Sequence, residues 1–289
     1  MPTEHALVLR PATPDDAAVC GRICFDAFSA INREHGFPCD FPAPEAAIGA
    51  MTMLFSHPDI HCIVAERDGR IIGSNCLDER SFVFGVGPIT VDPTIQNSGV
   101  GRKLMEAAME RASQRSAAGI RLVQATFHTR SLALYASLGF EVRELLCCMQ
   151  GQNLQREVPE CNVRPATAQD ADACCALATR VHGFDRRREL ADGVEQGTAV
   201  VVERGDRITG YASSLGFFGH ATATTNLDLM AMIAAADSFS GPGILVPARN
   251  SVLFEWALAD GLRIVQPMTL MTTGLHKEPV GAWLPSIFF

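Results

Sequence analysis

A chain of 289 residues, 47% of them apolar, has material for two hydrophobic cores of ordinary size. Its net charge of −8 speaks against nucleic acid or an anionic membrane as its main partner. No apolar run approaches the ~20 residues that a membrane-spanning helix requires.

The elements follow in order. A strand over 6–10 leads to Thr13, which reads as the N-cap of a helix running to about Phe28. Residues Ser29–Pro44, with Asn32, Arg33, His35 and Asp40, read as a long polar link of the kind that shapes a substrate pocket. A helix over Pro44–Phe55 and strands at 61–67, 71–78 and 82–91 come next. Asp78 and Glu79 stand at the end of the second of these strands. A helix from residue 100 sets Val100, Leu104, Ala108 and Ala112 on one face. A strand at 120–126, a helix at 130–138 and a final strand at 140–149 complete the first sheet. Interleaved strands and helices of this kind define an α/β fold around a mixed sheet.

The turn before residue 100 is the most informative. The segment Val91-Asp92-Pro93-Thr94-Ile95-Gln96-Asn97-Ser98-Gly99-Val100-Gly101-Arg102-Lys103 runs from a strand into a helix. Glycines there let backbone N–H groups crowd around an anion, and the helix dipole adds about half a positive charge. Lys103 is misplaced for a P-loop, and Leu104 stands where a dinucleotide fingerprint needs its third glycine.

The chain also repeats itself. Arg10-Pro11-Ala12-Thr13-x-x-Asp16-Ala17-x-x-Cys20 returns 154 positions later as Arg164-Pro165-Ala166-Thr167-x-x-Asp170-Ala171-x-x-Cys174. Glu66–Gly73 is echoed by Glu203–Gly210, each a strand pair around a Gly/Asp turn. Two echoes in one order imply duplication. The polar stretch Gly151–Cys161 divides the copies, giving domains of 1–150 and 160–289. Aligning Gly261 on Gly139 sets Asn250 on His128 and Ala257 on Tyr135. The second copy has no glycine cradle between Tyr211 and Ile244, so it reads as a degenerate domain.

Gln96-x-x-Gly99-x-Gly101 after Val-x-Pro resembles the acetyl-CoA diphosphate loop of the GNAT family of N-acetyltransferases. His128-Thr129-Arg130-Ser131-Leu132-Ala133-Leu134-Tyr135-Ala136-Ser137-Leu138-Gly139-Phe140 resembles the same family's Asn…Leu-Tyr-x-x-Leu-Gly-Phe segment. The resemblance implies tandem GNAT folds and acetyl-CoA as co-substrate. It implies that the amides of Asn97, Ser98, Gly99, Val100 and Gly101 hold the diphosphate. Gln96 opens the loop; Arg102 and Lys103 either add charge or form a solvated first turn. Backbone groups of Ile89, Thr90 and Val91 face the pantetheine arm. Tyr135 takes the position of the acid that protonates the thiolate, and His128 stands where the family usually has an Asn that contacts the cofactor or a backbone group, so it is expected to contact the cofactor, relay a proton or serve structure alone. No carboxylate lies in Phe84–Thr90, where a base is expected, so Asp78 and Glu79 are the nearest candidates; both also read as hairpin charges.

The expected function is acetyl transfer to a primary amine of a small molecule or amino acid. Two alternatives stand beside it: a regulatory module that binds acetyl-CoA without turnover, and a protein N-acetyltransferase whose second domain docks the target. The ten cysteines include no C-x-x-C pair and no leader segment precedes them, so they read as reduced thiols of a cytoplasmic protein without a metal. No nucleic acid or membrane partner is expected, and a homodimer is left open.

Overall fold

The computed structural model describes residues 6–151, 154 and 157–288. Gln152, Asn153, Gln155 and Arg156 of the expected linker lie outside the described residues. Contacts group the chain into two compact units, Met1–Arg121 and Leu122–Phe289.

The first unit begins with β1 (Val8–Pro11), α1 (Ala17–Glu34), α2 (Pro44–Ser56), β2 (Ile60–Arg67) and β3 (Arg70–Asp78). It continues with β4 (Val83–Val86), β5 (Thr90–Val91), α3 (Val100–Gln114) and the start of β6 (Gly119–Ala125). β1, β2 and β3 are antiparallel neighbours, and both β4 and β5 pair with β3. β4 pairs parallel with β6 through three positions, ending at Gly85↔Arg121. The expected strand over 82–91 is therefore two short strands. The expected link at Ser29–Pro44 is also shorter, because α1 continues to Glu34 and the Asn32 side chain bonds Pro38 O at 2.8 Å. The core behind β5 joins Ala65, Ile72, Val100 and Leu104, with Ile63, Ile89 and Val91 packed on it.

The second unit takes the end of β6 and adds α4 (Thr129–Ser137), β7 (Glu141–Gln150), β8 (Asn162–Pro165), α5 (Ala171–His182) and α6 (Arg187–Glu195). Next come β9 (Val200–Arg204), β10 (Arg207–Ala212), β11 (Ala221–Ala223), α7 (Asn226–Ala235), β12 (Ile244–Pro247), α8 (Ser251–Ala259), β13 (Arg263–Gly274) and β14 (Ala282–Leu284). One sheet runs β14-β11-β10-β9-β8. In the other, β13 lies between β6 and β7, and β12 covers the far edge of β7.

This last arrangement differs from the expectation that 140–149 closes the first copy's sheet. β7 instead pairs antiparallel with β13, from Gln150↔Arg263 to Glu141↔Thr272, and with β12, from Met149↔Ile244 to Leu146↔Pro247. β7 and its counterpart β13 thus each pair with strands of the other copy. The reason lies in β7 itself. Leu146 and Cys148 join one core while Met149 joins another, so the strand is apolar on both faces and sits inside the sheet, its backbone groups paired on both edges.

Among the described residues no helix is long and apolar enough to cross a membrane, and no group of three His, Cys, Asp or Glu residues could hold a metal ion.

Candidate active site

In the first unit the Val91–Gly101 turn is held at its base. Asp92 accepts from Thr94 N–H at 2.9 Å and Thr94 Oγ1 at 2.7 Å, and it pairs with Arg70 Nη2 at 2.7 Å. Gln96 Nε2 donates to Val91 O at 3.4 Å, and Ser98 Oγ donates to Ile95 O at 2.7 Å. Asn97 (φ 66°) and Gly99 (φ 80°) both take the left-handed conformation, which favours glycine. Gly99 is the residue before α3, and no side chain caps the helix there. The first intrahelical bond runs from Lys103 N–H to Gly99 O at 3.1 Å. The N–H groups of Val100, Gly101 and Arg102 therefore precede the helix's own ladder, as an anion site at a helix start requires.

β5 is set by its two faces. Ile89 and Val91 pack on the Leu104 core, while the Thr90 hydroxyl lies 3.3 Å from Ser74 Oγ. Lys103 Nζ pairs with Glu106 at 3.0 Å on the exposed side of α3, as a solvated first turn does. Asp78 and Glu79 are both engaged. Arg80 grips Asp78 through bonds of 2.6–3.1 Å, and Glu79 accepts from Arg111 at 2.7 Å and pairs with Arg115 at 3.2 Å.

The second unit carries the phenol. Tyr135 is buried on α4 with its ring centre 6.2 Å from that of Phe140. Burial pushes its ionisation up to about 12, and a hydrogen bond with Ser131 opposes the shift. The phenol thus keeps its proton at neutral pH. Ser131 Oγ in turn lies 2.7 Å from Nδ1 of His128, the residue that opens α4. Ser131 is the residue that motif reading passed over. The signal was its spacing, three after His128 and four before Tyr135, which sets all three on one helical face.

A second polar cluster in this unit was not foreseen. His220 Nδ1 lies 2.8 Å from Glu189 Oε1, and its Nε2 lies 2.9 Å from the Tyr211 hydroxyl. Glu189 is also paired with Arg186 at 2.5 Å, and all four residues are buried. Ser213 Oγ joins it, 3.1 Å from His220 Nδ1, so these buried polar groups satisfy one another.

Known proteins share this architecture. Residues 25–140 match the model of the acetyltransferase (GNAT) family. An acetyltransferase candidate from Pyrococcus horikoshii superposes with a TM-score of 0.73 at 18% identity, over 93% of this chain and 89% of that one. A GCN5-related N-acetyltransferase from Sphaerobacter thermophilus gives 0.62 at 14% identity, over 96% and 98%. A tandem GNAT protein from the clavulanic acid biosynthesis pathway gives 0.58 at 16% identity, over 93% and 98%. No curated protein matches the sequence. Residues 25–140 thus resemble the GNAT family, and the chain carries two GNAT-like folds in tandem.

Proposed function

We propose that the first copy, residues 1–150, binds acetyl-CoA and passes its acetyl group to a primary amine of a small molecule or amino acid. The observation that carries this reading is the start of α3, where a left-handed Gly99 stands as N-cap without a side-chain cap inside the segment that matches the family. Backbone groups of Asn97–Gly101 hold the diphosphate, Gln96 stiffens the loop through Val91, and the main chain of Ile89–Val91 meets the pantetheine arm.

The amine attacks the thioester carbonyl, an oxyanion forms, and the C–S bond breaks to release CoA as a thiolate. Backbone N–H groups near the acetyl carbon stabilise the oxyanion, a contribution often worth a few kcal/mol. Tyr135 donates its proton to the leaving sulfur. His128 acts on it as a positioning residue, through Ser131. The arginines around Asp78 and Glu79 occupy the carboxylates nearest in sequence to the expected base, so the ammonium proton leaves through water. Cytoplasmic residence belongs to the same proposal, since acetyl-CoA must be at hand.

Calorimetric titration with acetyl-CoA, followed by thiol-release assays over a panel of amines, tests the reading. Heat with turnover supports it. Heat without acetylation of any amine turns it into a binding module, turnover only on a protein substrate moves it to a protein acetyltransferase, and no heat removes it.

A further inference from the structure

We infer that the groove of the second copy has become an extended-peptide site, filled by the chain's own C-terminal strand, and that the chain takes up acyl-CoA through its first copy alone. The second half of this inference rests on the function proposed above; the first half does not.

The registers identify the counterparts. In the first copy Gly73 pairs with Val91 and Ser74 with Thr90; in the second, Gly210 pairs with Ala223 and Tyr211 with Thr222. A Cβ at Gly73 would meet Thr90 O and the Leu104 side chain of α3, and one at Gly210 would meet Ala223 Cβ and the Met232 side chain of α7. Ala221–Ala223 therefore stands for Ile89–Val91, the stretch assigned to the pantetheine arm. By the alignment of Gly261 on Gly139, Ile244–Pro247 of β12 stands for Leu122–Ala125 of β6.

Between these counterparts lies β14. It pairs antiparallel with β11, Ala221↔Leu284, Thr222↔Trp283 and Ala223↔Ala282, and it lies against β12. Ala282, Trp283 and Leu284 are all buried, and the Trp283 ring stands edge-on to His182 with centres 6.0 Å apart. Beyond the strand, Ile287 N–H donates to Phe217 O at 2.8 Å. Main-chain groups that an acyl-CoA arm would use are already in a ladder. This is strand addition to a sheet edge, with the peptide supplied in cis.

The anion end is filled as well. Eight residues, Asp92–Gly99, separate β5 from α3, but only Thr224 and Thr225 separate β11 from α7. The start of α7 holds its own carboxylate: Asp228 accepts from Thr225 N–H at 2.9 Å, Thr225 Oγ1 at 2.6 Å and Thr209 Oγ1 at 2.6 Å. Arg204 lies 3.0 Å from the same carboxylate, which is fully buried. A diphosphate arriving there finds the helix start already taken by the chain's own carboxylate, itself paired with Arg204.

The full chain is titrated with acetyl-CoA by calorimetry, and hydrogen exchange is followed with and without saturating coenzyme. One coenzyme per chain, with slow and coenzyme-independent exchange in Ala221–Ala223 and Ala282–Leu284, is expected. Two per chain, or faster exchange in those strands on saturation, overturns the inference. An absence of heat removes the functional reading and with it the one-site claim, while fast exchange of β14 in the free chain removes the peptide-site claim alone. Trp283→Ala gives at least a tenfold rise in exchange at Ala221–Ala223; exchange equal to wild type shows that β14 does not hold the edge.

Discussion

Arg10 holds Asp16 through two bonds, Nη1 to Oδ2 at 2.8 Å and Nη2 to Oδ1 at 2.9 Å. Arg164 holds Asp170 in the same way, at 2.8 Å each. The third partners also match: Glu66 and Glu203 each accept from Nη2 of their arginine at 2.6 Å. Each aspartate closes a capping box with the threonine three residues before it. A duplication read from the letters is thus a duplicated physical device, which ties the first strand of each copy to its first helix.

That device predicts an acid dependence. The guanidinium bonds hold Asp16 and Asp170 well below the usual carboxylate range, with burial opposing. A depressed folded value means that the stabilisation is complete above the ordinary pKa near ~3.9 and drains as pH falls toward the folded value. The double variant Asp16→Asn, Asp170→Asn loses about 1 kcal/mol per site at neutral pH, in keeping with a lost cap. Its stability also falls less steeply than wild type below about pH 4. Urea denaturation across pH 2–7 reads both.

Tyr135→Phe removes the phenolic proton while keeping the ring against Phe140. If the phenol protonates the leaving thiolate, kcat falls about a hundredfold, the lower end for general acid catalysis, while KM for acetyl-CoA holds. Stability of the free protein changes by no more than ~1 kcal/mol, the worth of one hydrogen bond. An unchanged kcat would remove Tyr135 from the mechanism. With its ionisation raised to about 12, Tyr135 stays neutral while free tyrosine ionises near ~10. The unfolded chain then releases that proton first, so stability drops between about pH 10 and 12.

Gly99→Ala isolates the turn. A Cβ there meets open space, so the change brings no clash, only the strain of φ 80°. The cost to folding is about 1 kcal/mol, and relaxation of the turn weakens acetyl-CoA binding several-fold. Equal affinity in calorimetry would show that the left-handed turn does not shape the cradle.

Glu189→Ala tests the buried network of the second unit. It takes a carboxylate from both Arg186 and His220 in a region closed to water. Removing one partner of a buried ion pair costs about 3–5 kcal/mol. Tyr211→Phe, which deletes only the hydroxyl on His220 Nε2, costs about 1–2 kcal/mol. Thermal denaturation orders the two; a Glu189→Ala protein as stable as wild type would mean that the network contributes nothing.

Local periodicity was legible because it is written within a few residues. Alternating burial marked β2, the apolar face of α3 marked the helix, and Thr13 and Thr167 announced their caps. The glycine turn before α3 was legible for the same reason, being a single local turn with a left-handed Gly99. Ser131 was not singled out because a serine on a helix surface has no distinctive spacing until the residues four away and three away are known to matter. Glu189, His220 and Tyr211 escaped because they come from α6, the loop before β11 and β10, up to 31 positions apart.

By itself the sequence determined the duplication, most of the strand and helix order through residue 149, and the absence of the glycine turn and of the phenol from the second copy. Only the tertiary structure decided which edges meet: β7 beside β13 and β12, and β14 beside β11. The reason is physical. A strand's alternation tells it which face to bury, but every edge offers the same N–H and C=O groups. The choice of partner is made by the whole chain's packing, where Leu146 and Met149 need cover on opposite faces and Ala282–Leu284 finds an open edge between β11 and β12.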